Sequence, residues 1–492
     1  MNKRSSKSNK SLNKSNLKGK EFKGFGLQSS LSQNPFLKKK SSQLISSTSA
    51  AAAALFLSPA GVFALPQGLE VQRGVLSVNQ SSENSLTINQ GSNRAVGNWN
   101  SFDINTNEAV QVVQPSASSV MVGRIVGGEA TQILGNLNAN GSIILTNPHG
   151  MVFGKDAVIN TSNFSASTLD IDPDQIMQGG DSLQLNRSLL MPSDAQIINK
   201  GSITVSESGL ASLIAPRVVN EGLITAKFGQ ISIASGTKAT LDISGDGLLS
   251  ITLDDDVAGS VDNTGTLSGQ YIRLGGGVAN DFVNSTINLE GVVKASGFNS
   301  AGTIDVNTSG DISVKGDIDA SSVDSDGGTI KLLGGDTVDL IGSASVNADG
   351  STGGGEILIG GNYLGRGPEP NSKTTIVRTG AEISADATSS GDGGRVIVWS
   401  DEFTPMYGSI STTGSESGKG GFIETSSKMQ LIIDDQFGSS VNAGQDGLWL
   451  LDPSNITITG ADNNTAGTPN YKATGGAATI NAATLKTALA GV

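Results

Sequence analysis

The chain has 492 residues with 65 glycines, 4% aromatic residues and no cysteine. The missing cysteine excludes disulfides, thiol catalysis and cysteine metal sites, and the scarcity of rings suits thin stacked β-layers filled by Val, Ile, Leu and Ala better than a thick globular core. Acidic residues outnumber basic ones, 45 to 32, which argues against nucleic acid as a main ligand, since phosphate binding needs clustered Lys and Arg, and against simple docking on anionic lipid.

The charge is unevenly placed. Residues 1–64 carry 11 Lys+Arg and a single acid, Glu21, for a net +10, and the remainder carries −23. Residues 1–43 are rich in Lys and Ser and have no apolar period. Lys38-Lys39-Lys40 leads into an apolar stretch from about Ser49 to Ala64, and Val62-Phe63-Ala64 sets small residues at −3 and −1 of a cut after Ala64. A basic region, a short apolar region and a small-residue site in that order describe a secretory signal peptide, here with a long basic arm. It hands the chain to the Sec export machinery and leaves a mature protein beginning at Leu65. The apolar stretch is too short to remain as a spanning helix.

From Leu65 onward the sequence reads as short strands separated by Gly, Asn, Ser and Asp turns, as in SLTINQG (85–91), GSIILTNPHG (141–150) and GQISIASG (229–236). Helical periodicity is nearly absent before residue 476. IINKGSI (197–203) and VVNEGLI (218–224) stand 21 residues apart, VDNTGTL (261–267) follows two such periods later, and VNSTINL (283–289) one more. Asn199, Asn220, Asn263 and Asn284 therefore fall near one phase. A period near 21 predicts one coil of a parallel β-helix, each coil burying its apolar face only by stacking on its neighbours. The asparagines are expected to form a ladder of amides from coil to coil, with Ile198, Ile203, Val219 and Ile224 among the buried positions.

A second repeat follows: GGTIKLLGG (327–335), GGGEILIGG (353–361), GGRVIVWS (393–400) and GGFIETSS (420–427), at irregular spacings of about 27 or 39 residues. These read as further coils with surface excursions. Roughly 20 coils at about 4.8 Å each predict a rod on the order of 100 Å.

Three strings occur in fixed order: NWNSFDIN (98–105), VQPSASSVMVGRIVGG (113–128) and ILGNLNANGSIILTNPHGMVFGKDAVINTSNFSAST (133–168). Together they resemble the secretion domain of two-partner secretion exoproteins of the filamentous-haemagglutinin type, over about residues 65–300. The later string GDGGRVIVWSDEFTPMYGSISTTGSESGKGGFIETSS and GLWLLDPSNITITG (447–460) resemble the start of the adhesin part of the same proteins. The resemblance implies an all-β, right-handed parallel β-helix with an N-terminal cap. It divides the chain into an extended signal peptide (1–64), a secretion domain (65–305) and a continuing β-helical adhesin-type region (306–492). It also implies unfolded passage through the periplasm, recognition by a dedicated outer-membrane β-barrel transporter, and folding at the bacterial surface.

By the same resemblance Asn147, Pro148, His149 and Gly150 form the segment that the transporter reads. His149 stands where the family usually has Asn. As a local sequence the segment is a tight turn: Pro presets φ at the second position, Gly relieves steric limits, and Asn147 caps the turn. That role gives Asn147 one local side-chain bond, roughly 1 kcal/mol. Family members usually continue beyond this chain's last strings, which leaves a truncated gene, a fragment and a short member as alternatives.

No catalytic constellation can be assembled. His149 is the only histidine, and no G-x-S-x-G elbow accompanies it. Asp254-Asp255-Asp256, and Asp336 with Asp339, read as turn polarity rather than calcium ligands. The sequons at Asn140, Asn163 and Asn284 are unremarkable in a chain rich in Asn, Ser and Thr. The chain is therefore expected to be a non-enzymatic adhesin-type exoprotein, secreted or surface-bound, without cofactor or metal, and to meet a host-cell or glycan receptor. A secreted β-helical polysaccharide-active enzyme is the alternative from another class, and the stalk of a cytolysin or contact-delivered toxin is a third.

Overall fold

The computed structural model describes residues 65–180, 182–242, 247–252, 257–276, 285–297, 299–433, 439–452, 454–459 and 475–481. Residues 1–64, the Asp254-Asp255-Asp256 triplet and Asn284 lie outside these residues.

The described chain is a parallel β-helix with three sheet faces. One face runs in register from Ser85–Gln90 through Ala109–Val113 and Asn136–Ala139 to Ser440–Asn442. A second runs from Arg94–Trp99 through Val120–Ile125 and Ser142–Thr146 to Leu448–Leu450. The third is a thirteen-stranded sheet beginning at Thr131–Ile133 and Met151–Phe153. At a strand spacing of about 4.8 Å, thirteen strands make a rod of roughly 60 Å, shorter than a coil every 21 residues predicts. The N-terminal end is capped by antiparallel pairing, Leu76–Ser82 against Ser85–Gln90 and Glu70–Arg73 against Arg94–Trp99. This cap covers the first coil, where Leu65, Trp99 and Phe102 are buried and the two rings meet edge to face at 5.2 Å.

Alternation drives the stacking. Along the second face Ala95, Met121, Ile143, Phe164, Ala211 and Ile231 occupy successive coils of one inward column, all buried. On the third face the inward residues are Ile197 and Val218, both fully buried, whereas Val219 points outward and is only half-buried. The sequence expectation chose the wrong parity there because QIIN and RVVN place two apolar residues side by side. Ile203, Ile224 and Ile198 are buried as expected.

The coils are unequal, and this corrects the period. Asn220 is paired directly with Asn263, so the 43 residues between them are one coil and not two. The excess leaves the rod as an antiparallel hairpin, Lys238–Asp242 with Gly247–Thr252. A second excursion, Asp170–Ile171, the short helix Pro173–Met177 and Ser182–Asn186, joins that hairpin in a four-stranded antiparallel sheet. Leu169, Ile171, Ile176, Leu183, Leu185 and Leu241 of this sheet and helix bury the outward side chains Val96, Val122 and Ile144 of the second face. The near-continuous apolar runs SIILT and LASLIA, buried at every position, are the sequence mark of a strand covered on both sides.

The second repeat marks one coil per unit. Gly328, Gly355, Gly394 and Gly421 stack so that a Cβ on any of the last three would collide with the carbonyl oxygen of the preceding member. The interval between Gly355 and Gly394 is longer because residues 360–373 leave the coil as a strap across the second face.

Candidate functional site

The Asn147–Gly150 turn sits at the corner joining Ser142–Thr146 of the second face to Met151–Phe153 of the third. The Gly150 N–H donates to the Asn147 carbonyl at 3.0 Å, closing a four-residue turn with Pro at its second position. Gly150 has φ +100°, and a Cβ there would lie 2.6 Å from the Gln196 carbonyl oxygen of the next coil.

Asn147 is fully buried and makes three side-chain bonds. Its Oδ1 accepts from the His149 N–H at 2.9 Å, while its Nδ2 donates to the Glu129 carbonyl at 3.0 Å and to Thr131 Oγ1 at 2.9 Å. Two of these bonds run back to the preceding coil, so Asn147 stitches coils together as well as capping its turn. The single local bond expected from the sequence understates its role. Pro148 is buried. His149 is half-buried, and among the described residues its Nδ1 has no hydrogen-bond partner.

Asn199, Asn220 and Asn263 lie in one register column of the third face. Asn199 Nδ2 donates to Asn220 Oδ1 at 2.8 Å, and Asn220 Nδ2 donates to Asn263 Oδ1 at 2.7 Å. All three are buried in a column that begins with Ile133 and Phe153 and continues with Leu289 and Val314. The amides thus replace apolar residues facing the core, where each can also meet the backbone of the turn two residues on: Gly201 N–H, Gly222 carbonyl and Gly265 carbonyl. Asn284 lies outside the described residues. The position after Asn263 in this column is Leu289, because that coil is 26 residues long. Replacing Asn220 alone by Leu strands two buried amides and is expected to cost about 2 kcal/mol. Replacing Asn199, Asn220 and Asn263 together by Leu should restore most of it, read as urea midpoints.

The TPS secretion domain model matches residues 64–320, slightly more than half of the chain. The chain belongs to the two-partner secretion (TPS) secretion domain family. Among solved structures, the secretion domain of HMW1 from Haemophilus influenzae superposes with a TM-score of 0.68 at 30% identity, covering 79% of this chain and all of that one. Two heme/hemopexin-binding proteins of Haemophilus influenzae are also similar. One is 33% identical over 216 residues, covering 43% of this chain and 23% of that protein. The other is 34% identical over 136 residues, covering 28% and 14%. The chain thus spans less than a quarter of the length of these relatives. TPS secretion domains are parts of exoproteins of two-partner secretion systems, which are carried across the outer membrane to the cell surface or released.

The Asp336 and Asp339 reading resolves as ion pairing. Arg378 forks onto Asp339 at 2.7 Å on both oxygens, and Lys373 lies 3.5 Å from Asp336. Among the described residues no group of three or more His, Cys, Asp or Glu could hold a metal ion.

The strap over the second face is one of the surface excursions expected from the irregular spacing of the second repeat, but nothing in the sequence singles out its residues. Glu369 accepts from Lys331 Nζ at 2.9 Å and from Asn362 Nδ2 at 2.7 Å, which pins the strap to Thr329–Gly334. Tyr363 packs edge-on against Phe422 at 5.8 Å, and Leu358, Ile397 and Trp399 form a small apolar cluster outside the main core. Beneath the strap Glu424 is fully buried, and the Leu364 N–H lies 3.2 Å from each of its oxygens. Burial pushes its carboxyl up to about 7. The Leu364 and Ser426 hydrogen bonds and the Arg395 charge oppose this, and nearby Asp452 adds to it.

Proposed function

We propose that this chain is the N-terminal part of an adhesin-type exoprotein, exported by a dedicated outer-membrane β-barrel transporter that reads Asn147-Pro148-His149-Gly150 while the chain is extended. Family membership and the 0.68 superposition on a secretion domain carry the export reading. The adhesin role rests on the resemblance of residues 306–492 to adhesin-type repeats and on the long exposed faces such rods offer to receptors. In this reading residues 1–64 are a Sec signal peptide cut after Ala64, so secreted material begins at Leu65. Edman sequencing of protein from the medium checks this, and a mature chain retaining Lys38-Lys39-Lys40 would reject it. The name of the heme/hemopexin-binding relatives brings no ligand here, since the alignments cover at most 23% of those proteins.

His149 separates turn from address. Its ring is half-buried and its Nδ1 makes no hydrogen bond among the described residues, so His149→Ala is expected to change folded stability by less than about 0.5 kcal/mol. If the segment is an address, secretion of His149→Ala falls severalfold while the refolded protein melts like the parent. Parental secretion of this variant would reduce the segment to a turn.

A further inference from the structure

We propose that the cleft between the 360–373 strap and the coil corners at Trp399–Asp401, Ser426–Lys428 and Asp452 is a saccharide-binding site of the exported rod. The inference rests on the adhesin reading above and names its ligand class. The cleft has a volume of about 350 Å³, at the lower end of the ~300–1,000 Å³ usual for small-ligand sites.

Its polar groups are of both kinds. Arg366 and Lys428 supply donors, and Asp401 and Asp452 supply acceptors. Two of these groups are unspent. The Arg366 guanidinium is exposed and makes no side-chain hydrogen bond or ion pair among the described residues. Asp401 accepts from Trp399 Nε1 at 3.3 Å and from Asn371 Nδ2 at 3.3 Å, both on Oδ1, so Oδ2 accepts no hydrogen bond among the described residues. A sugar hydroxyl both donates and accepts, so a polyol can engage both kinds of group at once, while its C–H surface meets Leu364 and the indole edge.

Other ligand classes fit less well. A phosphate or sulfate would face two carboxylates. An apolar ligand would have to desolvate four charged groups. A divalent cation would meet two cationic side chains, and no cluster of three acidic or His ligands is present among the described residues.

The walls are fixed in advance. The Asn371 amide donates to the Gly365 carbonyl at 3.0 Å, the Ser372 hydroxyl donates to the Gly334 carbonyl, and Glu424 receives the Leu364 N–H. Gly361 and Gly365 ride on the Trp399 ring, where a Cβ on either would collide with it. A preformed wall avoids the ordering cost that weakens sites made of loose loops.

The test uses purified secreted chain and saturation-transfer NMR against a panel of mono- and disaccharides: neutral hexoses, N-acetylhexosamines, uronic acids and sialic acid. At least one panel member should show transfer at millimolar concentration. Asp401→Asn keeps the Oδ1 acceptor for Trp399 and Asn371 but turns the free acceptor into a donor, and Arg366→Ala removes an exposed, unpaired group. Each should weaken that binding by about tenfold, the size of one ligand hydrogen bond to a charged group, with an unchanged melting temperature for Arg366→Ala. Absence of transfer from the whole panel, or equal affinity in both variants, would overturn the site. Export is measured separately by localisation, so a chain that reaches the surface yet binds no sugar counts against the cleft alone.

Discussion

Asn147→Ala is expected to destabilise the folded rod by about 3 kcal/mol. The substitution removes three side-chain hydrogen bonds at a fully buried site and leaves Thr131 Oγ1 and the His149 N–H without their partner. Each stranded buried group costs about 1–3 kcal/mol. The effect should be local first, since a solenoid loses stability at the affected interface before the whole array opens. Hydrogen exchange should therefore speed up in Thr131–Ile133, Met151–Phe153 and Asn163–Ser167, the strands around this corner, well before the coils beyond Thr303–Thr308. A loss under about 1 kcal/mol would mean that Asn147 acts only within its own turn. Because this variant is expected to lose stability, a fall in its secretion does not by itself identify an address, which is why His149→Ala carries that test.

Glu424→Gln is expected to stabilise the protein above neutral pH and to flatten part of its pH dependence. The folded carboxyl titrates at about 7, against 4.5 for the free group. The native state therefore holds this proton where the unfolded chain has released it. The contribution is fully present below about pH 4.5, declines as pH rises from there to about 7, and stays lost above that. A shift of this size corresponds to roughly 3 kcal/mol. Gln can still accept the Leu364 N–H through its carbonyl oxygen and brings no buried charge. The difference between the variant and its parent should thus be small at pH 4 and largest at pH 8, measured as the midpoint of thermal unfolding. Exchange of the Leu364 N–H should follow the same course. A variant less stable than its parent at pH 8 would show that the charged carboxylate holds the strap down.

Much of this architecture is legible in the sequence where a pattern and a physical requirement coincide. Asn199 and Asn220 can be aligned because each precedes a turn glycine by two residues, at a corner where a Cβ on Gly222 would strike the Gly201 carbonyl. The GG units are legible for the same reason. The period misleads where a coil carries an insertion: the Asn220–Asn263 interval equals about two ordinary coils by coincidence of length, and only the direct pairing of the strands reveals a single coil. The parity of Val218 and Val219 is hidden because both are apolar. The sheet and helix covering Val96, Val122 and Ile144 could have been suspected from the unbroken apolar runs SIILT and LASLIA. Glu424 could not: a single acid in FIETSS gains its character only from a strap 60 residues earlier. The turn at Asn147–Gly150 is readable as a turn, but the reach of Asn147 to Glu129 and Thr131 depends on which coil lies beneath it.

Transporter-dependent export of a secretion-domain exoprotein can be read as surface exposure in a Gram-negative host. The full chain is expressed with and without the outer-membrane barrel transporter encoded in its source genome, and protease is added to intact cells. Residues beyond Leu65 should become cleavable from outside, or appear in the medium, only when the transporter is present, and remain periplasmic without it. Equal exposure in both strains, or periplasmic retention despite the transporter, would refute transporter-dependent export.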